Sequence, residues 1–187
     1  MNLRRGFKSE ANSYSRDLRA ELQVQPHEKL CPWRLATHLE IPVFKISELH
    51  IDIPEVIAYF RTGPGRRLLS AVTLFDGMKR FIVHNDAHDP KRQAANIAHE
   101  LAHALLHHPP KPPFDENGER HYSAELEEEA NWLGPALLIS EEAALCIARN
   151  KWSFVEASVL YGVSEDLIRM RLNVCGAYKR IGGRQAA

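Results

Sequence analysis

The stretch "IAHELAHALLHH", residues 97–108, is the most informative part of this sequence. A potential N-cap aspartate and a proline at the first helical position precede it at residues 89–90, so the pattern predicts a helix over 90–107. At about 100° per residue, the apolar side chains gather on one side of this helix. His99 and His103 lie on the other side, away from the stripe that packs into a core.

The spacing of His99, Glu100 and His103 is typical of one kind of metal site. Two histidines at positions i and i+4 can bind one ion from adjacent turns, and a glutamate directly after the first can act as a general base. A zinc ion there would lower the pKa of its water to about 7 and polarise a scissile carbonyl. The motif therefore predicts two zinc ligands and, in Glu100, the base that accepts the water proton.

Such a site needs a third protein ligand, and an oxyanion formed during hydrolysis needs a donor besides the metal. The acidic run downstream offers four candidates for the ligand: Glu125, Glu127, Glu128 and Glu129. His121 and Tyr122, just ahead of this run, are the candidate oxyanion stabilisers. The alternative is that these two are ordinary loop residues and that the acidic run is a solvated helix face.

The rest of the pattern predicts an α+β fold: a mostly helical single domain, spanning residues 1–187, with a small antiparallel sheet. The sheet is expected from a strand at 41–46 and from "VIAYFRT", "RLLSAVTLF" and "KRFIVHND", the last two forming a hairpin around Asp76-Gly77. The remaining segments predict helices at 8–23, 32–39 and 123–138 and a helical C-terminal segment over 152–180.

Composition limits the possible functions. The 187 residues carry a formal net charge of zero, which provides no overall field to attract nucleic acid or an anionic membrane. No apolar run is long enough to span a bilayer and the N-terminus has no signal-peptide pattern, so we expect a cytoplasmic protein. The three cysteines are far apart, which argues against a disulfide framework and a thiolate zinc site.

The C-terminal stretch "ASVLYGVSEDLIRMRL" has Gly162 and Ser164 where a helix-turn-helix would turn, and it would present Arg169 and Arg171 on the second helix. One interpretation is contact with DNA. The other is that the two helices only complete the core, with these apolar residues as packing groups: Leu160, Val163, Leu167, Ile168 and Leu172. We expect no strong nucleic-acid binding, because the neutral chain supplies little attraction for phosphate.

Five stretches together resemble the ImmA/IrrE-type metallo-endopeptidases: "RGFKSEAN", "PWRLATHLEIPV", "RFIVHNDAHDPKRQAANIAHELAHALLHH", "EEEANWLGPALLIS" and "YGVSEDLIRMRLNV". The resemblance covers about residues 4 to 180. Its most specific parts are the helix entry from Asn85-Asp86 to the histidines and the "EAN" segment. The resemblance implies a gluzincin-like fold, zinc, and cleavage of a helix-turn-helix repressor, which would be encoded nearby.

Carried onto this sequence, the resemblance implies that His99 and His103 are zinc ligands, Glu100 is the base and Glu129, before Ala130-Asn131, is the third ligand. A helical wheel agrees: Glu129 lies about 60° from the centre of the apolar stripe of this helix, closer than the other three glutamates. One departure is that Leu133-Gly134-Pro135 stands where the family commonly has Phe-Ala. A proline inside a helix removes a hydrogen bond, so the wall of the substrate cleft is expected to differ.

Two other functions fit the sequence: a DNA-binding regulator whose metal site is structural, and a sensor that binds a partner without cutting it. Glu100 favours the enzyme, because a structural zinc site does not need a base next to an open coordination position.

Overall fold

The computed structural model describes residues 3–49, 54–109 and 123–182. Within these residues, helices alternate with a small sheet in the first half of the chain and follow one another in the second. The elements are α1 (Phe7–Glu21), α2 (Pro32–His38), β1 (Val43–Lys45), a 3-10 turn (Ile46–Glu48), α3 (Pro54–Arg61), α4 (Gly65–Leu68), β2 (Ala71–Asp76), β3 (Lys79–His84), α5 (Pro90–Leu105), α6 (Ala124–Leu138), α7 (Glu141–Arg149), α8 (Phe154–Tyr161), α9 (Glu165–Val174) and α10 (Ala177–Gly182).

The sheet has the strand order β1-β3-β2. Strands β2 and β3 form the predicted antiparallel hairpin, which turns at Asp76-Gly77 with Gly77 at φ 58°. Strand β1 pairs with β3 in parallel, with Val43 opposite Ile82. The sheet is therefore mixed and not purely antiparallel as predicted. Parallel pairing is possible because the chain between β1 and β3 is long enough to cross over, as parallel neighbours require.

The predicted strand "VIAYFRT" is wrong, because the segment forms helix α3. Short runs of β-branched and aromatic residues do not distinguish strand from helix by themselves. The local helix signals were Pro54 at the start, Glu55 in the first turn and Arg61 in the last. Proline fits the first helical turn, and acidic and basic residues at the two ends favour the helix dipole.

Helices α5 and α6 form the centre of the molecule. Ile97 and Leu101 of α5 lie in a core cluster that includes residues of α1, α2, the sheet and α6, whereas Ala98 lies in a second cluster formed with the C-terminal helices. No helix among the described residues is both long and apolar enough to cross a bilayer.

Two buried polar residues of helix α1 donate hydrogen bonds to the carboxyl end of α6. Ser15 Oγ donates to Ala136 O at 2.7 Å, and Arg19 Nη2 donates to Leu137 O at 2.8 Å. Burial lowers the pKa of Arg19 to about 10, which leaves the guanidinium charged at neutral pH. The last carbonyls of a helix have no partner inside the helix and carry partial negative charge. A buried guanidinium provides both the hydrogen-bond donors and the opposite charge.

Helices α8 and α9 are joined by a turn in which Gly162 has φ 68° and Ser164 caps α9 by accepting the Leu167 N–H. Arg171 is only 1% exposed and donates to Ile139 O at the end of α6. Arg169 pairs with Asp166 at 3.0 Å and lies over the Phe154 ring. The buried position of Arg171 favours the interpretation in which the two helices complete the core over the one in which they contact DNA.

The expected packing residues of this segment divide into two groups. Val163, Ile168 and Leu172 are buried and Leu167 is half-buried against the same cluster, as the core interpretation requires, whereas Leu160 is exposed.

Candidate metal centre

Helix α5 carries the predicted motif in the predicted orientation. Asp89 caps it by accepting the Lys91 N–H at 2.9 Å, and Pro90 is its first residue. The buried residues on its apolar side include Ala94, Ile97 and Leu101. His99, Glu100 and His103 lie on the opposite side and are half-buried.

The loop before α5 fixes where this helix begins. Asn85 is buried, and its side-chain amide donates to the carbonyls of Phe60 and Leu69. Asp86 accepts the backbone N–H of Ser47 at 3.2 Å. The "ND" dipeptide therefore ties the end of β3 to α3, to the segment before β2 and to the 3-10 turn.

Two imidazoles and one carboxylate converge on the outer side of α5. The Nε2 atoms of His99 and His103 are 3.1 Å apart. The carboxylate of Glu127, on α6, lies 3.3 Å from His99 Nε2 and 3.6 Å from His103 Nε2. The hydrogen bonds from His103 and His99 hold the pKa of Glu127 well below its usual range, so this group is a carboxylate at neutral pH.

These three donors fit a metal ion. Ligand atoms of all three lie within 4.8 Å of one another. Zinc binds histidine nitrogen at about 2.0–2.1 Å in tetrahedral sites, which implies ligand nitrogens about 3.3 Å apart, close to the observed separation. Two imidazoles and a carboxylate are also the donor set of a catalytic zinc site with one position left for water or substrate.

The structure does not bring Glu129 to His99 and His103, which Glu127 contacts instead. Its Oε2 lies 3.3 Å from His108 Nε2, and its Oε1 accepts from Arg4 Nε at 2.8 Å. The candidate for the third ligand therefore moves from Glu129 to Glu127. Of the other two glutamates in the run, Glu125 is exposed and Glu128 is half-buried.

The helical wheel favoured Glu129, whereas the structure places Glu127 beside His99 and His103, because the buried side of α6 faces two different neighbours. Glu127 and Gly134 are seven residues apart on one side, and a Cβ at Gly134 would lie 3.1 Å from the His99 backbone. Glu129 and Ala136 are seven residues apart on the other, and they contact Arg4 and Ser15 from the N-terminal region. The distance of a residue from the apolar stripe of α6 does not show whether that residue faces α5 or the N-terminal region.

Glu100 is held by the sheet. Thr73 Oγ1, on β2, donates to Glu100 Oε2 at 2.7 Å. This contact fixes one carboxylate oxygen and leaves Oε1 for another partner. Thr73 was not recognised in the sequence, because only the tertiary packing of β2 against α5 brings it to the motif.

The end of α5 places a third histidine next to the pair. His107 has φ 52°, and the N–H of His108 donates to His103 O at 3.0 Å, the pattern of a Schellman motif. This turn directs the chain back, so that His108 Nδ1 lies 2.8 Å from His103 Nδ1. His108 is 9% exposed, and burial lowers its pKa, whereas His107 is exposed.

The candidate oxyanion stabilisers His121 and Tyr122 lie outside the described residues.

Helix α5 carries two histidines and a glutamate and packs on a small sheet, and the neighbouring helix α6 provides a further carboxylate. This combination is typical of metallopeptidase-like domains. The model of the Peptidase_M78 family, described as the IrrE N-terminal-like domain, matches residues 56–173. The chain therefore belongs to this family. A search of curated proteins found no match. The matched region contains the whole histidine and glutamate cluster but not α1 or Arg4.

Proposed function

We propose that this protein is a zinc-dependent endopeptidase in which His99, His103 and Glu127 bind the metal and Glu100 is the general base. The observation that carries the proposal is the convergence of two Nε2 atoms and a carboxylate next to Glu100, whose Oε2 accepts from Thr73. Zinc in such a site acts as a Lewis acid toward a water molecule and a scissile carbonyl.

The contact of Glu100 with Thr73 supports its proposed role as the base. Glu100 Oε2 accepts from Thr73, and among the described residues Oε1 has no hydrogen-bond partner, so Oε1 would accept the proton of the attacking water. The same carboxyl group can then donate this proton to the departing amine nitrogen, and it returns to its ionised form. Because Thr73 holds the side chain, little conformational freedom is lost when substrate binds.

The sheet offers a place for a peptide substrate. Among the described residues, β2 pairs only with β3, so its outer edge has unpaired backbone groups. An extended peptide can add to such an edge through backbone hydrogen bonds. Since Thr73 lies on β2 and binds Glu100, a peptide on this edge would pass next to the base.

We further propose that the substrate is a regulatory protein, in particular a helix-turn-helix repressor encoded nearby. The support is the membership in a family of IrrE N-terminal-like domains together with the family resemblance of the motifs. A role in DNA binding is not favoured, because Arg171 is buried and Arg169 is engaged with Asp166 and Phe154.

The test is incubation of the zinc-loaded protein with purified repressors encoded beside its gene, with cleavage followed by mass spectrometry. Glu100→Gln is the matched control, because the amide keeps the shape of the side chain but cannot accept the proton. We expect one defined cleavage product with the wild type and none with Glu100→Gln. Equal cleavage by both proteins would contradict the assignment of the base. No cleavage of any adjacent repressor would contradict the proposed substrate.

A further inference from the structure

We propose that His108 is a positioning residue for the metal ligand His103, and that Glu129 and Arg4 hold His108 in place. We call these four residues the His108 network. The inference rests on the proposed function, because it assumes that His103 binds metal through Nε2. It adds that a segment outside the region matched by the family model, at Arg4, contributes to the metal centre.

Proton positions in the network follow from one requirement. An imidazole nitrogen that binds a metal carries no proton, so His103 must carry its proton on Nδ1. That nitrogen lies 2.8 Å from His108 Nδ1, which must then be the acceptor. The proton of neutral His108 is consequently on Nε2, which faces Glu129 Oε2 at 3.3 Å. Each ring is left with a single tautomer.

The carboxylate at the end of the network has a fixed orientation as well. Arg4 Nε donates to Glu129 Oε1 at 2.8 Å, so the two oxygens of Glu129 have different partners. Arg4 also pairs with Glu10 at 2.7 Å and lies 5.0 Å from the centre of the Phe7 ring. The side chains of His108 and Glu129 are 6% and 15% exposed, whereas that of Arg4 is 52% exposed.

The contact of His108 with His103 can fix the orientation of the His103 ring. A histidine that binds metal through one nitrogen commonly donates its other N–H to an acceptor, which fixes the ring and raises its basicity. Loss of such an acceptor typically weakens metal binding by about 10- to 100-fold. Because burial decreases from His108 to Arg4, the effect of substitution should decrease in the same order.

The experiment measures the affinity for Zn²⁺ by competition with a chromophoric chelator and the absorption spectrum of the Co²⁺-loaded protein. His108→Leu removes the acceptor while keeping a branched side chain of similar width. His108→Asn restores an acceptor, because its amide oxygen can lie close to the position of Nδ1. Glu129→Gln weakens the outer contact. The matched controls are His107→Asn and Glu125→Gln, which change exposed neighbours on the same two segments.

We expect His108→Leu to bind Zn²⁺ about 10- to 100-fold more weakly, Glu129→Gln to show a smaller loss and both controls to match the wild type. His108→Asn should recover part of the loss, and the Co²⁺ spectrum should shift in His108→Leu. Partial recovery by asparagine distinguishes an acceptor from a packing role. Where His108→Leu does not fold, the comparison of His108→Asn and Glu129→Gln with the controls decides.

Two different failures are distinguishable. If the wild type binds no Zn²⁺, or if His103→Ala binds it as well as the wild type, the proposed metal site is wrong. If His103→Ala loses Zn²⁺ while the variants at His108 and Glu129 bind it as tightly as the wild type, the His108 network has no positioning role and the proposed function stands.

Discussion

Gly134 lies directly against the backbone of His99: a Cβ added at position 134 would lie 3.1 Å from both the Cα and the N of His99. The absence of a side chain therefore sets how closely α6 approaches the side of α5 that carries His99 and His103. Glu127 lies two turns earlier on the same side of α6 and reaches the two histidines from there.

We predict that Gly134→Ala weakens Zn²⁺ binding several-fold and that Gly134→Val weakens it much more. Alanine forces the two helices apart by a few tenths of an ångström, and overpacking typically costs about 1–3 kcal/mol, partly offset by the better helix propensity of alanine. Chelator competition and urea unfolding of both variants test this. Zn²⁺ affinity equal to that of the wild type in Gly134→Val would show that the close approach is unimportant for the site.

The identity of the third ligand leads to a direct comparison of three glutamates on α6. Glu127→Ala should lose more Zn²⁺ affinity than the about 10- to 100-fold that loss of an outer hydrogen-bond partner causes, because a ligand itself is removed. Glu129→Ala should show a smaller loss and Glu125→Ala none. The zinc content after dialysis against a weak chelator provides the measurement. The reverse order for Glu127 and Glu129 would restore the assignment made from the sequence.

Thr73→Val should reduce kcat while Zn²⁺ remains bound, because the methyl group keeps the shape of the side chain but cannot donate to Glu100. A hydrogen bond to a charged group contributes about 1.5–3 kcal/mol, which corresponds to a loss of about 10- to 100-fold if it acts only in the transition state. Thr73→Ser, which keeps the hydroxyl, is the control. Kinetics on a cleaved substrate, with zinc content measured in parallel, would show whether the two variants differ. Equal kcat values would exclude this role.

The buried guanidinium of Arg19 predicts a large effect on folding. Arg19→Met should lower the free energy of unfolding by about 1.5–3 kcal/mol, because the carbonyls at the end of α6 lose a buried charged donor. Arg16→Met is the matched control on the same helix: its side chain is 43% exposed and pairs with Glu141 and Glu142, and such surface pairs contribute about 0–1 kcal/mol. Urea unfolding followed by circular dichroism measures both. Similar losses in the two variants would contradict the predicted role of Arg19.

His84 should make folding stability depend on pH. It is 1% exposed, and its burial lowers its pKa from the usual value of 6.5, against the opposing influence of Asp86. Above about pH 6.5 the side chain is neutral in both the folded and unfolded states, so it has no effect on stability there. As the pH falls below 6.5, the unfolded chain binds a proton that the folded protein resists, and stability decreases by at most about 1.4 kcal/mol per pH unit.

The measurement is urea unfolding of metal-free protein between pH 5 and pH 7.5, compared with His84→Leu. The variant should have the flatter profile, because it lacks the titrating group. His88, whose pKa is also lowered by burial, remains in both proteins and contributes equally. Parallel profiles would assign the pH dependence to other groups.

Several features of this protein follow from local sequence alone. The Asp89-Pro90 cap, the helix that follows it and the common side of His99 and His103 depend only on capping and on the helical repeat, which act over a few residues. The hairpin turn at Asp76-Gly77 is equally local, since a glycine there allows the positive φ that the turn needs. These predictions are confirmed.

Other features were decided only when distant segments packed together. Helix α3 formed where a strand was predicted, because a short apolar run satisfies either pattern and its surroundings select one. The choice between Glu127 and Glu129 depended on the rotation of α6 about its own axis. That rotation is set by the contact of Gly134 with His99 on one side and by the hydrogen bonds from Ser15 and Arg19 on the other. The helical repeat of the sequence does not specify these contacts between distant segments. The sequence determined that α6 would have a carboxylate near each edge of its buried side, and only the tertiary packing determined which edge faces the histidines.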